Sequence, residues 1–309
     1  MTSAFYYRMA VALMISAQKR AGNDYTYIIF SDVGKLNELH VPDWIRIEKL
    51  SEFYSSTKER STRRSEGFRI KSMILSDDIL KEYDVLFLDA DCFVFDNCFD
   101  RVFDLIQKNS VSIYGAYAEE GQLWGRFDFV NAASRAGYTV RNMWLNSGFI
   151  GRAGDALGLR FASYYRSLMD NYPFRPFIES RFWQTADEPY LATAYQLAMR
   201  EFKPKLPDAI PGPTSDDFAT TYQAVVDSTI RNRPVLHSRY LNATYEPSII
   251  HFLGGMNEGY YRSLVNETVN FTIQGQLLRP VHRGNHIAHR LRYYVRRLFD
   301  FSIKELRDV

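Results

Sequence analysis

The sequence predicts an α/β fold: a mixed, mostly parallel sheet flanked by helices, with a basic amphipathic helix at the C-terminus. Three observations carry this. Short apolar segments alternate with segments whose apolar residues recur at helical spacing, the order that builds parallel sheets through crossover connections. One apolar run, Val85-Leu86-Phe87-Leu88, ends on Asp89-Ala90-Asp91, and open α/β sheets collect ligands past the carboxyl ends of their strands. Beyond Pro280 the chain changes character, with basic and apolar residues segregating at helical spacing.

The elements follow in order. Ala4 to Arg20 reads as a helix with Met9, Leu13 and Ala17 on one face. Tyr25 to Phe30 is an apolar strand ending at Ser31-Asp32, and Ile45 to Leu50 alternates as a second strand. Ser55 to Gly67, with Lys58, Arg60, Arg63 and Arg64, is expected to be a loop able to close over a ligand. A helix from Phe68 to Leu80 leads into the buried strand that carries the two carboxylates. Phe99 to Gln107 is a helix, Val111 to Tyr117 a strand, Asn146 to Gly151 a short strand with a polar entry, and Ala156 to Met169 a helix. Asn171 to Pro189 is irregular. Tyr190 to Arg200 is a helix, and Lys203 to Asp217, with four prolines, a loop. Ser248 to Leu253 is an apolar strand, and Glu258 to Gln274 a helix. Residues 1–275 read as one domain and 276–309 as a tail. In the tail, Ile287, Leu291, Tyr294, Val295 and Leu298 share one helical face. His289, Arg290, Arg292, Arg296 and Arg297 share the other. Such a helix meets a membrane surface or an acidic partner, or docks on its own domain with a solvated basic face.

Composition narrows the classes. A chain of 309 residues that is 46% hydrophobic can bury a large core. A net charge of +2 carries no nucleic-acid signature. Cys92 and Cys98 are the only cysteines, which points to buried thiols in a reducing compartment. The start lacks the build of a signal peptide, and no apolar run reaches bilayer length. The expectation is a cytoplasmic protein, peripheral at the inner membrane face if the basic tail binds lipid. The sequons at Asn242, Asn266 and Asn270 would matter only in a secreted chain.

The chemistry concentrates at Asp89 and Asp91. Side chains at i and i+2 of an extended strand share a face, so these carboxylates are expected to converge. Converging carboxylates repel unless a cation lies between them. A hard divalent cation answers that need, and such a cation usually holds phosphate oxygens too. The alternative is local: an Asp after a strand often caps a helix or forms an Asx turn.

The segment Val85 to Val94 resembles the Asp-x-Asp region of GT-A fold glycosyltransferases, most closely glycosyltransferase family 8, the glycogenin and lipopolysaccharide galactosyl- and glucosyltransferase type. Three further segments stand in the family's order: Phe68-Arg69-Ile70-Lys71, Trp144-Leu145-Asn146-Ser147-Gly148-Phe149-Ile150, and Ile249-Ile250-His251-Phe252-Leu253-Gly254-Gly255. The likeness spans roughly Thr2 to Gln274. It implies a GT-A catalytic domain in which Asp89, Asp91 and His251 hold Mn2+, or Mg2+, on the diphosphate of a UDP-sugar. It implies that Arg69 or Lys71 touches the diphosphate or sugar; residues at i and i+2 cannot share a helix face, so one of the two points inward. It further implies that Asn146 bonds the donor sugar, that Gly148 lets backbone approach it, and that Thr2, Tyr7 and Ala90 lie along the nucleotide. Asp187 and Glu188 would be the catalytic carboxylates in a transfer that retains anomeric configuration, the acceptor being a glycan or lipid-linked glycan. The chain departs from the pattern twice. Glu188 stands where the family often has Gln, and the family's first strand is missing, so a truncated start is expected.

The alternatives belong to other classes. A haloacid-dehalogenase-like phosphatase also has Asp-x-Asp after an apolar strand, but wants Thr or Val where Phe93 stands. A nucleotide-sugar pyrophosphorylase would show a Gly-rich loop near its start. A degenerate, non-catalytic sugar-nucleotide binder is the third.

Overall fold

The computed structural model describes residues 4–31, 41–49, 63–119, 128–178, 186–221, 224–227, 234–238, 244–252 and 258–269. The chain divides into two units, Met1–Val269 and Asn270–Val309, and every described residue lies in the first. The expected tail helix, Thr2, and most of the basic segment at 55–67 fall outside the described residues.

The fold is mixed α/β. Its helices are α1 (Ala4–Ala21), α2 (Arg63–Leu75), α3 (Phe99–Asn109), α4 (Phe129–Arg135), α5 (Ala156–Asn171), α6 (Glu188–Phe202) and α7 (Glu258–Val269). The strands are β1 (Tyr27–Ser31), β2 (Ile45–Lys49), β3 (Val85–Leu88), β4 (Cys92–Val94), β5 (Val111–Tyr117), β6 (Met143–Arg152), β7 (Phe218–Thr220), β8 (Ala224–Asp227), β9 (Val235–Ser238), β10 (Thr244–Tyr245) and β11 (Ile249–His251). They form small sheets ordered β1-β2, β3-β6-β5, β4-β11-β7 and β10-β9-β8. Pairings β1–β2 and β11–β7 are parallel, whereas β3–β6, β5–β6, β11–β4, β8–β9 and β10–β9 are antiparallel. The expectation of a mostly parallel sheet is therefore corrected among the described strands. Alternation of strand and helix constrains element order, but β6 returns between β3 and β5 in the opposite direction, and nothing in its composition records that.

Two further differences bear on the site. Helix α2 begins at Arg63, not Phe68, so Arg63 and Arg64 are helical rather than part of a loop. No breaker intervenes, and an internal glycine such as Gly67 costs only about 1 kcal/mol. Second, the strand over Val85 to Leu88 is not buried as expected, and Asp89 and Asp91 do not lie on an extended strand. β3 is half-buried throughout and pairs with β6, whereas β4 is fully buried and pairs with β11. Asp89-Ala90-Asp91 is the turn between two sheets.

Many of the described aromatic residues go into the core. Phe161, Tyr165, Tyr190 and Tyr195 are fully buried where α5 and α6 pack against β5 and β6. Asp128 and Asp155 cap α4 and α5 by accepting from Asn131 N and Gly158 N. At α6 the N-cap position is held by Asp187, whose side chain makes no capping bond; it is engaged elsewhere.

Candidate metal centre

The two carboxylates meet by a route other than strand periodicity. Cys92 N donates to Asp89 O at 2.9 Å, closing a four-residue turn. Three elements pin that turn. Asp89 N donates to Gly148 O of β6 at 3.1 Å, Phe252 N after β11 donates to Asp91 O at 2.9 Å, and the Tyr261 hydroxyl of α7 donates to Ala90 O at 3.0 Å. The antiparallel register sets His251 opposite Cys92, one residue from Asp91. One ligand atom from each of Asp89, Asp91 and His251 then lies within 4.8 Å of the others. His251 is 2% exposed, while the Asp89 and Asp91 side chains are 22% and 27% exposed. The cluster is backed by imidazole and open on its carboxylate side.

Hydrogen bonding leaves this cluster able to accept a cation. His251 Nδ1 lies 2.9 Å from Asn146 Oδ1, an atom that also accepts from Gly148 N at 3.0 Å. His251 Nε2 faces Asp91 Oδ1 at 2.9 Å and Asp89 Oδ2 at 3.6 Å, and no hydrogen bond reaches it. A buried imidazole nitrogen set against two carboxylate oxygens needs a proton or a cation between them. Two oxygens and one nitrogen form a donor set that suits a divalent ion. Gly148 makes room for the ring: a Cβ there would lie 2.3 Å from His251 Nδ1.

A second charge cluster adjoins the first. Lys71, on α2 and 7% exposed, donates to Asp89 Oδ2 at 2.8 Å and Ser147 Oγ at 2.9 Å, and lies 3.2 Å from Asp187 Oδ2. Burial alone would lower its proton affinity, but Asp187 and Asp89 outweigh that and hold the ammonium well above the ordinary lysine range. Asp187 is fully buried, accepting from Ser147 Oγ and Tyr165 OH, each at 3.2 Å. Burial pushes the Asp89 carboxyl up despite Lys71. Burial acts the same way on Asp91, but the adjacent His251 outweighs it and holds that carboxyl low. Glu188 opens α6. Burial first, and then the Asp187 charge, push its carboxyl up to about 8, and its Oε2 has no hydrogen-bond partner.

The fold thus brings together Lys71, Asp89, Asp91, Asn146, Gly148, Asp187, Glu188 and His251. It does not bring Arg69 there: Arg69 Nε lies 2.6 Å from Asp170 Oδ1, a strut between α2 and α5. Tyr7 is buried within α1 at 2% exposure. Ala90 contributes its carbonyl to Tyr261. Ser147, Tyr165 and Tyr261 were missed as site residues. Ser147 stands inside a segment already singled out, whereas the tyrosines carry no local signal. No protein-family model matches the chain, and no curated protein matches it.

Proposed function

We propose that the chain is a GT-A fold, metal-dependent glycosyltransferase that moves a hexose from a nucleoside diphosphate sugar, UDP-hexose in the first instance, to a glycan or lipid-linked acceptor with retention. The observation that carries this reading is the convergence of Asp89, Asp91 and His251 on one open-sided point beside Lys71. Asp89, Asp91 and His251 Nε2 would hold the ion, and an imidazole in the set favours manganese over magnesium. Once bound, the ion supplies Lewis-acid stabilisation of charge on a diphosphate leaving group.

The chain's own residues do the remaining work. Lys71 holds Asp89 in place and puts fixed positive charge at the diphosphate side. Asp187 is committed to Ser147, Tyr165 and Lys71, so it positions those groups rather than attacking. Glu188, protonated at neutral pH, donates a hydrogen bond to a sugar hydroxyl and can pass a proton. The lipid-linked acceptor and the placement at an inner membrane face rest on residues 280–309. Among the described residues no helix is long and apolar enough to cross a membrane. Unchanged liposome binding after deletion of Pro280–Val309 would remove that part of the reading.

The test is thermal shift and calorimetry with UDP-, GDP- and dTDP-sugars, with and without Mn2+, on wild type and Asp91→Asn. Mn2+-dependent binding of one nucleotide class, lost in the variant, supports the reading. Absence of binding by every nucleotide sugar in the folded wild type sinks it, and trapping of an aspartyl phosphate on Asp89 would replace it with the phosphatase.

A further inference from the structure

We infer that Asn146 is a positioning residue for the metal centre, locking the His251 imidazole in the tautomer that presents a bare Nε2 to the ion, rather than a ligand of the donor sugar. This rests on the metal-site reading above. The argument begins with Gly148 N–H, which can only donate. It points at the Asn146 side chain from 3.0 Å, so the facing atom is the carbonyl oxygen and not the amide nitrogen. That same oxygen lies 2.9 Å from His251 Nδ1. An oxygen can only accept, so Nδ1 carries the proton. In the neutral ring Nε2 is then left with its lone pair, directed at Asp91 and Asp89.

The pieces depend on one another through the backbone. Asn146 and Gly148 lie two apart on β6, so both reach the same face. A side chain at position 148 would strike both the imidazole and the Asn146 oxygen, at 2.3 and 2.8 Å. Asn146 is 8% exposed and His251 2%, so water is poorly placed to substitute for the missing acceptor. Histidines that bind metals generally have their second nitrogen held in this way, and loss of the holding group typically lowers metal affinity 10–100-fold.

Two variants separate holding from mere packing. Asn146→Asp keeps an accepting oxygen; Asn146→Leu keeps the volume and removes it. The first readout is the 15N spectrum of labelled histidine in the metal-free protein, at a pH where the ring is neutral, with the His251 signal identified by its loss in His251→Gln. Wild type and Asn146→Asp are expected to show a protonated Nδ1, and Asn146→Leu a mixture of rings with Nδ1 protonated and rings with Nδ1 bare. The second readout is Mn2+ binding by calorimetry, expected to fall about 10–100-fold in Asn146→Leu and to be retained in Asn146→Asp. A neutral wild-type His251 protonated on Nε2 overturns the inference, and this result needs no variant to fold. Wild-type Mn2+ affinity in Asn146→Leu overturns it while leaving the metal site standing. Absence of Mn2+ binding in wild type with Nδ1 protonated sinks the metal reading itself, and the positioning role with it.

Discussion

Lys71 Nζ lies 2.8 Å from Asp89 Oδ2, with the two side chains only 9% and 22% exposed. This contact joins the two charge clusters: a carboxylate of the candidate metal triad is also the carboxylate that, with Asp187, keeps a buried ammonium charged. Removing the ammonium leaves Asp187, which is fully enclosed, with hydroxyl donors alone. Lys71→Met is expected to lose about 3–5 kcal/mol of stability, the usual result of stranding a buried charge. Urea denaturation measures this. A variant as stable as wild type would show that Ser147 and Tyr165 suffice for Asp187.

Mn2+ should stabilise the fold through the cluster. A ligand at a hundred times its dissociation constant adds about 2.7 kcal/mol. The melting temperature of wild type is expected to rise on titration with Mn2+ and to return on chelation, while Asp91→Asn and His251→Gln stay flat. An equal rise in all three would place the binding elsewhere.

Glu188 predicts a pH dependence. Its carboxyl rises from an ordinary 4.5 to about 8 in the fold. Between those values the folded protein holds a proton that the unfolded chain has released. The stability tied to that proton is complete below about 4.5 and is lost as pH rises through about 8. Glu188→Gln stays neutral throughout. Its stability relative to wild type should therefore climb by a few kcal/mol from about pH 5 to pH 8, measured without added metal. A pH-independent difference between the two proteins would contradict the proton assignment.

Tyr261 reaches across from α7 to the Ala90 carbonyl. Tyr261→Phe removes one hydrogen bond and is expected to cost about 0.5–1.5 kcal/mol. Because the bond lands between the two carboxylates, Mn2+ affinity should also weaken, by less than the loss in Asn146→Leu. Undiminished affinity in calorimetry would show that Gly148 and Phe252 position the turn without help from α7.

Arg152 is a fully buried strut. Its guanidinium donates to the carbonyls of Leu75, Leu80, Tyr83 and Ala153, tying the end of α2 to β6. Arg152→Met strands those acceptors and should cost more than about 3 kcal/mol. Arg152→Lys is expected to recover little, since one ammonium cannot reproduce the fork. Denaturation midpoints near wild type for either variant would contradict this.

Sequence and structure divide the site between them in a physically sensible way. Asp89 and Asp91 were legible because they are two residues apart. The turn closed by Cys92 N and Asp89 O also brings the pair together, so the expected convergence is seen although its premise, an extended strand, did not hold. The segments holding Lys71, Asn146 to Gly148, Asp187-Glu188 and His251 were singled out by their resemblance to motifs of a known family rather than by any local pattern. The choice between Arg69 and Lys71 was framed correctly by helix periodicity, since two residues along a helix turn to different faces. Which of them faced inward depended on where α5 placed Asp170.

Chain-local properties are what the sequence by itself determined: where apolar runs start and stop, where most of the described helices lie, and which short segments concentrate charge. The tertiary structure alone decided the direction of β6, the pairing of His251 with Cys92 across β11 and β4, the enclosure of Asp187 by Tyr165, and the hold of Asn146 on His251. Residues 105 positions apart touch there. Spacing along the chain carries no information about such a contact. Strand register and the space left by Gly148 create it, and both are properties of the packed sheets rather than of any one segment.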